Sequence, residues 1–185
     1  ALPLLQAAYQ LGNRHFGAAN PITADAATNL ARGLLLAGQA RAAEPLLQQA
    51  LPQHERLGSQ ASYIDTADLL LQLQQQDGRQ QQALTQAYKG LDAIDKLFVQ
   101  TRGLDDGLRE GFIQRYGPFY IRTLNLLAAL HASQPQQGYD RQMLAVVSRT
   151  QSRLFSELMR QADAGRLSAE PGYQDLLQRQ AQARG

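Results

Sequence analysis

The sequence predicts an all-α fold, an array of packed helical hairpins, and three observations predict it. Glycine, proline and polar clusters punctuate the chain at Gly17 to Pro21, Gly38 to Gln39, Gly58 to Ser62, Asp77 to Arg79, Arg102 to Asp106 and Ser133 to Tyr139. Between these marks the segments are long and carry apolar residues three and four apart, as at Leu30 and Leu34 or Leu47, Ala50 and Leu51. They are rich in the good helix formers Ala, Leu, Gln and Arg, and no alternating strand pattern occurs. The third observation is self-similarity: AEPLLQQAL (Ala43 to Leu51) matches ALPLLQAAY (Ala1 to Tyr9) at a shift of 42, and a shift of 40 carries Gly38 to Gly78, Ala43 to Ala83 and Ala50 to Gly90. Small residues seven apart sit on one helix face two turns apart, where they let a neighbouring helix approach closely.

Taken in order, the first segment has Pro3 in its opening turn, and Pro21 and Pro45 are read the same way in the second and third, where a missing amide proton costs little. Pro52 follows helical residues and would clash with the carbonyl of Gln48, so a kink or an early stop is expected there. The fourth and fifth segments, either side of Asp77 to Arg79, repeat the second and third, with Leu71 in the place of Ala31 and Ala87 in the place of Leu47. A weaker third unit spans YGPFYIRTLNLLAALHA and DRQMLAVVSRTQSRLFSELMRQA, where TLNLLAAL echoes ATNLARGLL around Asn125 and Asn29. Gly117 and Pro118 are expected to break or bend the segment from Asp105 to Ala132. Ser168 and Pro171 open a last amphipathic helix, Ser168 to Arg184, over Tyr173, Leu176 and Leu177.

Composition removes several classes of function. At 185 residues and 20.4 kDa the chain can bury a continuous core without a metal or a disulfide, and with no cysteine it has neither a disulfide framework nor thiolate chemistry. The formal charge is +2, and the bases are arginine except for Lys89 and Lys96, which is not a polybasic nucleic-acid binder. No apolar run is long enough for a membrane span, and the apolar start ALPLL is broken by Gln6 with no charged region before it, so neither membrane insertion nor a signal peptide is expected. The chain opens on Ala1 inside a helical phrase, and a longer parent protein is therefore expected. Cysteine usage leaves the compartment open, with the cytoplasm slightly favoured.

His15, His54 and His131 are isolated, without an HExxH or a carboxylate pair at ligand spacing, so no metal and no cofactor is expected. No Walker loop, GxGxxG or GxSxG occurs, and Ser148 and Ser152 have no histidine and aspartate arranged to activate them. Catalysis within these residues is not expected.

Residues 12 to 101 resemble the tetratricopeptide repeat family, in its longer 42-residue form found in kinesin light chain-like arrays; the carrying residues are NP before the second segment, TNLA in it, Gly38 at the turn and AAEPLLQQAL in the third. Residues 102 to 164, through LREGFIQRYGPFYIRTLNLL and LAVVSRTQSRLFSELM, look like the segment that follows such repeats in bacterial CHAT proteins, whose C-terminal part is a caspase-like peptidase. The resemblance implies a right-handed α-solenoid with repeats over 1–101 and a degenerate hairpin with a capping or linker helix over 102–185. It implies a module that binds a protein or peptide, the recognition arm of a larger bacterial protein. The alternative is an inhibitory or structural segment that controls an adjoining peptidase domain.

In such repeats the first helix of each pair lines the concave groove. The candidate partner-binding residues are therefore Asp25, Thr28, Asn29 and Arg32, then Asp65, Asp68, Gln72 and Gln75, with Arg122 and Asn125 continuing the row. Asn29 equally suits a structural amide, whereas the Arg32 guanidinium suits a partner carboxylate. Acidic and neutral groups dominate the row, so it is not the basic clamp that takes a terminal carboxylate in chaperone-binding repeats.

Other constellations read as ordinary structure. Phe112, Tyr116, Phe119 and Tyr120 have core spacing, Arg149, Arg153 and Arg160 form a solvated stripe with Glu157 and Asp163 nearby, and Lys89, Asp92 and Lys96 are surface ion pairs worth a few tenths of a kcal/mol, roughly.

Overall fold

The computed structural model describes residues 1–100 and 106–149, the side chains of residues 106–110 and 113 excepted. Among the described residues there is no strand. Six α-helices follow one another, α1 Leu2–Phe16, α2 Pro21–Leu36, α3 Ala40–Arg56, α4 Gln60–Gln76, α5 Gln80–Gln100 and α6 Asp106–Ser133, and a 3-10 turn at Pro135–Gln137 follows α6. The chain divides into two compact units, Ala1–Tyr139 and Asp140–Gly185; of the second, residues 140–149 are described and are helical. Arg153, Arg160 and the helix expected over Ser168 to Arg184 lie outside the described residues.

Three of the turns are copies of one device. Gly38, Gly58 and Gly78 have φ of 74°, 66° and 72°, left-handed values that glycine adopts without a Cβ clash. After each, the next residue's amide reaches back to close the helix: Gln39 to the Leu34 carbonyl at 2.8 Å, Ser59 to His54 at 3.0 Å and Arg79 to Gln74 at 2.8 Å. The glycine amides bond to Leu35, Glu55 and Gln75, which completes the Schellman arrangement in all three. The loop before α2 works differently: the Asn20 side chain accepts from the Ile22 amide at 2.9 Å, and Pro21 opens the helix where no amide proton is needed.

Each helix packs on the next, and α2 also touches α4. Leu30, Ala31 and Leu34 of α2, Ala43 and Leu47 of α3, and Leu69, Leu70 and Leu73 of α4 form one core cluster, against which Leu2, Leu5 and Tyr9 of α1 lean. The small residues picked out by the repeat shift are at the helix contacts: Ala43, Ala50 and Ala83 are fully buried, and Gly90 is buried against α6. A Cβ at Gly90 would run into Cζ of Phe119, so the aromatic ring occupies the space that any larger residue would need. Ala31, Leu47, Leu71 and Ala87 are also fully buried. Relative to the first pair, the second carries the large residue on α4, Leu71, and the small one on α5, Ala87, so the side-chain volume summed over the two positions is kept.

The prolines depart from expectation. Pro45 lies inside α3, not in its first turn, and Pro52 neither stops nor shortens the helix, which runs on to Arg56. Both are exposed and seven residues apart, as are Arg41 and Gln48, whose carbonyls lose their amide partners. That face is open to water, which can hydrate those carbonyls, so the cost expected of an interior proline is reduced. Pro118 is likewise exposed within an unbroken α6. The aromatic residues Phe112, Tyr116, Phe119 and Tyr120 are core, with the Phe112 and Tyr116 rings 4.7 Å apart and Phe98 5.4 Å from Phe112.

Polar staples fix the hairpins from outside. Arg79, in the turn before α5, holds Glu44 of α3 and, at 2.8 Å, Asp77. Arg56 donates to the Ala19 carbonyl at 2.9 Å, and the Tyr9 hydroxyl to Gln49 at 3.0 Å.

Replacing Ala43 with leucine should overpack the contact among α2, α3 and α4 and cost about 1–3 kcal/mol. A thermal melt checks this: the variant is expected to unfold at a lower temperature, and an unchanged midpoint would mean the position tolerates a large side chain.

Candidate partner-binding face

Helices α2, α4 and α6 each send polar residues to one shared face, because the other sides of these helices are taken up by the core. Asn29 and Arg32 of α2 are exposed there, and Asp65, Asp68 and Gln72 of α4 are half-buried between α2 and α6. The Asp65 carboxylate accepts from Arg115 at 3.1 Å and lies 3.9 Å from Arg32, so one carboxylate faces guanidiniums from two helices. Asp68 accepts from Nε of Arg122 at 2.8 Å and from the Gln72 amide, also at 2.8 Å. Arg32 also donates to Asn29 Oδ1 at a long 3.4 Å.

These groups rim a cavity of about 250 Å³, with Arg32, Asp65, Asp68, Gln72 and Arg115 at its edge. Leu69, Tyr116 and Phe119 also line it. A second cavity of about 320 Å³ adjoins it, sharing Arg32, Leu69 and Gln72 and running toward Leu35, Leu36 and Leu73. Leu36 is 87% exposed at that end. The two form a trough whose carboxylates lie in the first cavity and most of whose leucines lie in the second. Burial holds the Tyr116 phenol above its usual range against the nearby Arg115, and Asp65 adds to the shift. The Arg115 guanidinium lies 5.6 Å from the centre of the Tyr116 ring.

Three arginines meet two aspartates here, and each guanidinium carries five donor hydrogens. The donor capacity of the face exceeds what its own carboxylates accept, so donors remain for further oxygen acceptors.

Of the candidate residues, Asn29, Arg32, Asp65, Asp68, Gln72 and Arg122 are brought together by these contacts. Asp25 is exposed and lies 3.9 Å from Nε2 of His54. Thr28 is turned inward, 5% exposed, with its hydroxyl facing Ala24, Thr66 and His54, so it contributes to packing rather than to the open face. Gln75 is half-buried and Asn125 exposed; like Asn29 and Arg122 they do not line the two cavities. Arg115 belongs to the face although the sequence reading passed over it; its spacing of seven from Arg122 on α6 was the available signal.

Among the described residues no group of three or more metal-ligating side chains converges, and no helix is long and apolar enough to cross a membrane. No protein-family model matches the chain, and no curated protein matches it.

The pair of Arg122 and Asp68 is partly exposed on both sides, 32% and 27%, which limits its worth to about 0.2–1 kcal/mol. A double-mutant cycle with Arg122→Gln and Asp68→Asn should show coupling of that order that shrinks as salt is added. Strictly additive single effects at low salt would contradict the described geometry.

Proposed function

We propose that the chain is a protein-interaction module built as a right-handed array of tetratricopeptide-like hairpins, and that an extended or helical peptide segment docks in the trough on α2, α4 and α6. The observation that carries this reading is a trough in which the Arg32 and Arg115 guanidiniums stand beside Leu69, Tyr116 and the exposed Leu36. A peptide offers oxygen acceptors and apolar side chains in that combination. The helical pairs, the repeated glycine turns and the small residues at a shift of 40 support the array. The reading assigns no catalytic step to the chain. In a longer parent protein such a module would serve as a recognition or regulatory arm.

The rival reading is an inhibitory helical segment that acts on an adjoining catalytic domain, and it assigns the work to the second unit, Asp140–Gly185. Selection of binding peptides from a displayed library with the full chain, followed by titration of variants, separates the two. Arg32→Ala should weaken a selected peptide tenfold or more, about 1.4 kcal/mol per tenfold, while Arg153→Ala leaves it unchanged. Loss with Arg153→Ala and none with Arg32→Ala would overturn the trough and favour the rival.

A further inference from the structure

We propose that His54 is a proton-sensitive latch between α2 and α4: the neutral ring supports the hydroxyl pair that joins the two helices, and a second proton weakens the joined state by burying a charge there while the Nε2 hydrogen bond persists. His54 sits near the end of α3 and is 1% exposed. Its Nε2 lies 3.3 Å from Oγ1 of Thr28 on α2, and that hydroxyl lies 2.9 Å from Oγ1 of Thr66 on α4. A pair of buried hydroxyls thus joins the two helices, and the imidazole supports it from the third.

A count of hydrogens identifies the form of the ring that fits. Thr28 Oγ1 also lies 3.1 Å from the Ala24 carbonyl, and Thr66 Oγ1 lies 2.7 Å from the Ser62 carbonyl. Both carbonyls only accept, so the two hydroxyls bring two hydrogens to four contacts. A hydrogen on Nε2, donated to Thr28, serves a third contact, whereas a bare Nε2 would add another acceptor to a site already short of donors. The neutral imidazole protonated at Nε2 is the matching partner.

A second proton would go to Nδ1 and place a full charge in this interior. The charged groups that face it are Asp25 from α2, 3.9 Å from Nε2, and Asp65 from α4. Asp25 is 55% exposed, so water screens it, and Asp65 is already held by Arg115 with Arg32 nearby. On α3 itself Glu55 and Arg56 are exposed, and Arg56 is engaged with Ala19 and Gln53. Burial accordingly lowers the affinity of His54 for a proton below the ordinary value of 6.5, with Asp25 and Asp65 opposing the shift. The unfolded chain, with an ordinary histidine, then binds more protons than the folded chain as pH falls through 6.5. Stability that is intact above that pH is lost progressively toward the lower folded value.

Denaturant unfolding of the full chain at about pH 8 and about pH 5.5 tests this, in the range where histidine charge changes. The variants are His54→Gln, which keeps an amide donor and never charges, and Asp25→Asn, which removes an attraction for the proton. His15 and His131 are present in all three proteins and cancel in the comparison. On acidification the folding equilibrium constant of the parent should fall several-fold more than that of His54→Gln, and that of Asp25→Asn should fall further than the parent's. Equal falls in the parent and His54→Gln, or a smaller fall in Asp25→Asn, would overturn the proposal. If His54→Gln does not fold, the Asp25→Asn comparison still decides, and a nitrogen–proton correlation spectrum of the parent at about pH 8 with the His54 hydrogen on Nδ1 would overturn the latch independently.

Discussion

Where Phe119 lies across Gly90, the approach of α6 to α5 leaves no room for even a methyl group. The same economy holds at Ala43, Ala50 and Ala83, each fully buried at a helix contact. Backbones that come this close bring the larger side chains on either side into contact with several helices at once, and dispersion then adds up over many weak contacts. At the corresponding positions of the second pair the large and small residues are exchanged, Leu71 on α4 and Ala87 on α5, and both are fully buried. Everything else in the first unit follows from this approach, including which polar residues of α2, α4 and α6 meet.

The charged face is a consequence of that packing rather than a source of it. Its ion pairs are partly exposed, and such pairs contribute little to stability. They hold the Arg32 and Arg115 guanidiniums beside the trough and Arg122 against Asp68, and donors held in this way lose less freedom on forming a further hydrogen bond. Polar groups inside the core are under a different constraint. Thr28, Thr66 and His54 are buried where water cannot supply a missing hydrogen, so their donors and acceptors have to match among themselves.

Much of the helical character was legible because its signals are local. The left-handed glycines at 38, 58 and 78 mark the turns, and the seven-residue spacing of Ala43 and Ala50 marks a contact face. The row on the second and fourth segments could be read to the level of which side of a helix a residue lies on, which places Arg32, Asp65 and Asp68 well. It failed at Thr28, because a threonine on the edge of a polar stripe faces inward or outward according to what the next helix offers, and here that is Thr66. His54 was read as an isolated histidine, since its partners stand 26 residues before it on α2 and on the following helix, a distance no short motif spans. The cost of Pro45 and Pro52 depends on whether the freed carbonyls meet water, which is a property of the packed helices and not of the local sequence.

The measurement that tests the close-approach account most directly is the stability of Gly90→Ala in two backgrounds, the parent and Phe119→Leu. Alanine favours a helix over glycine by about 1 kcal/mol, while overpacking costs about 1–3 kcal/mol, so the two effects oppose each other. The account predicts that Gly90→Ala destabilises the parent and stabilises the Phe119→Leu protein, a reversal of sign produced by removing the ring that fills the space over Gly90. An equal gain in stability in both backgrounds would contradict it.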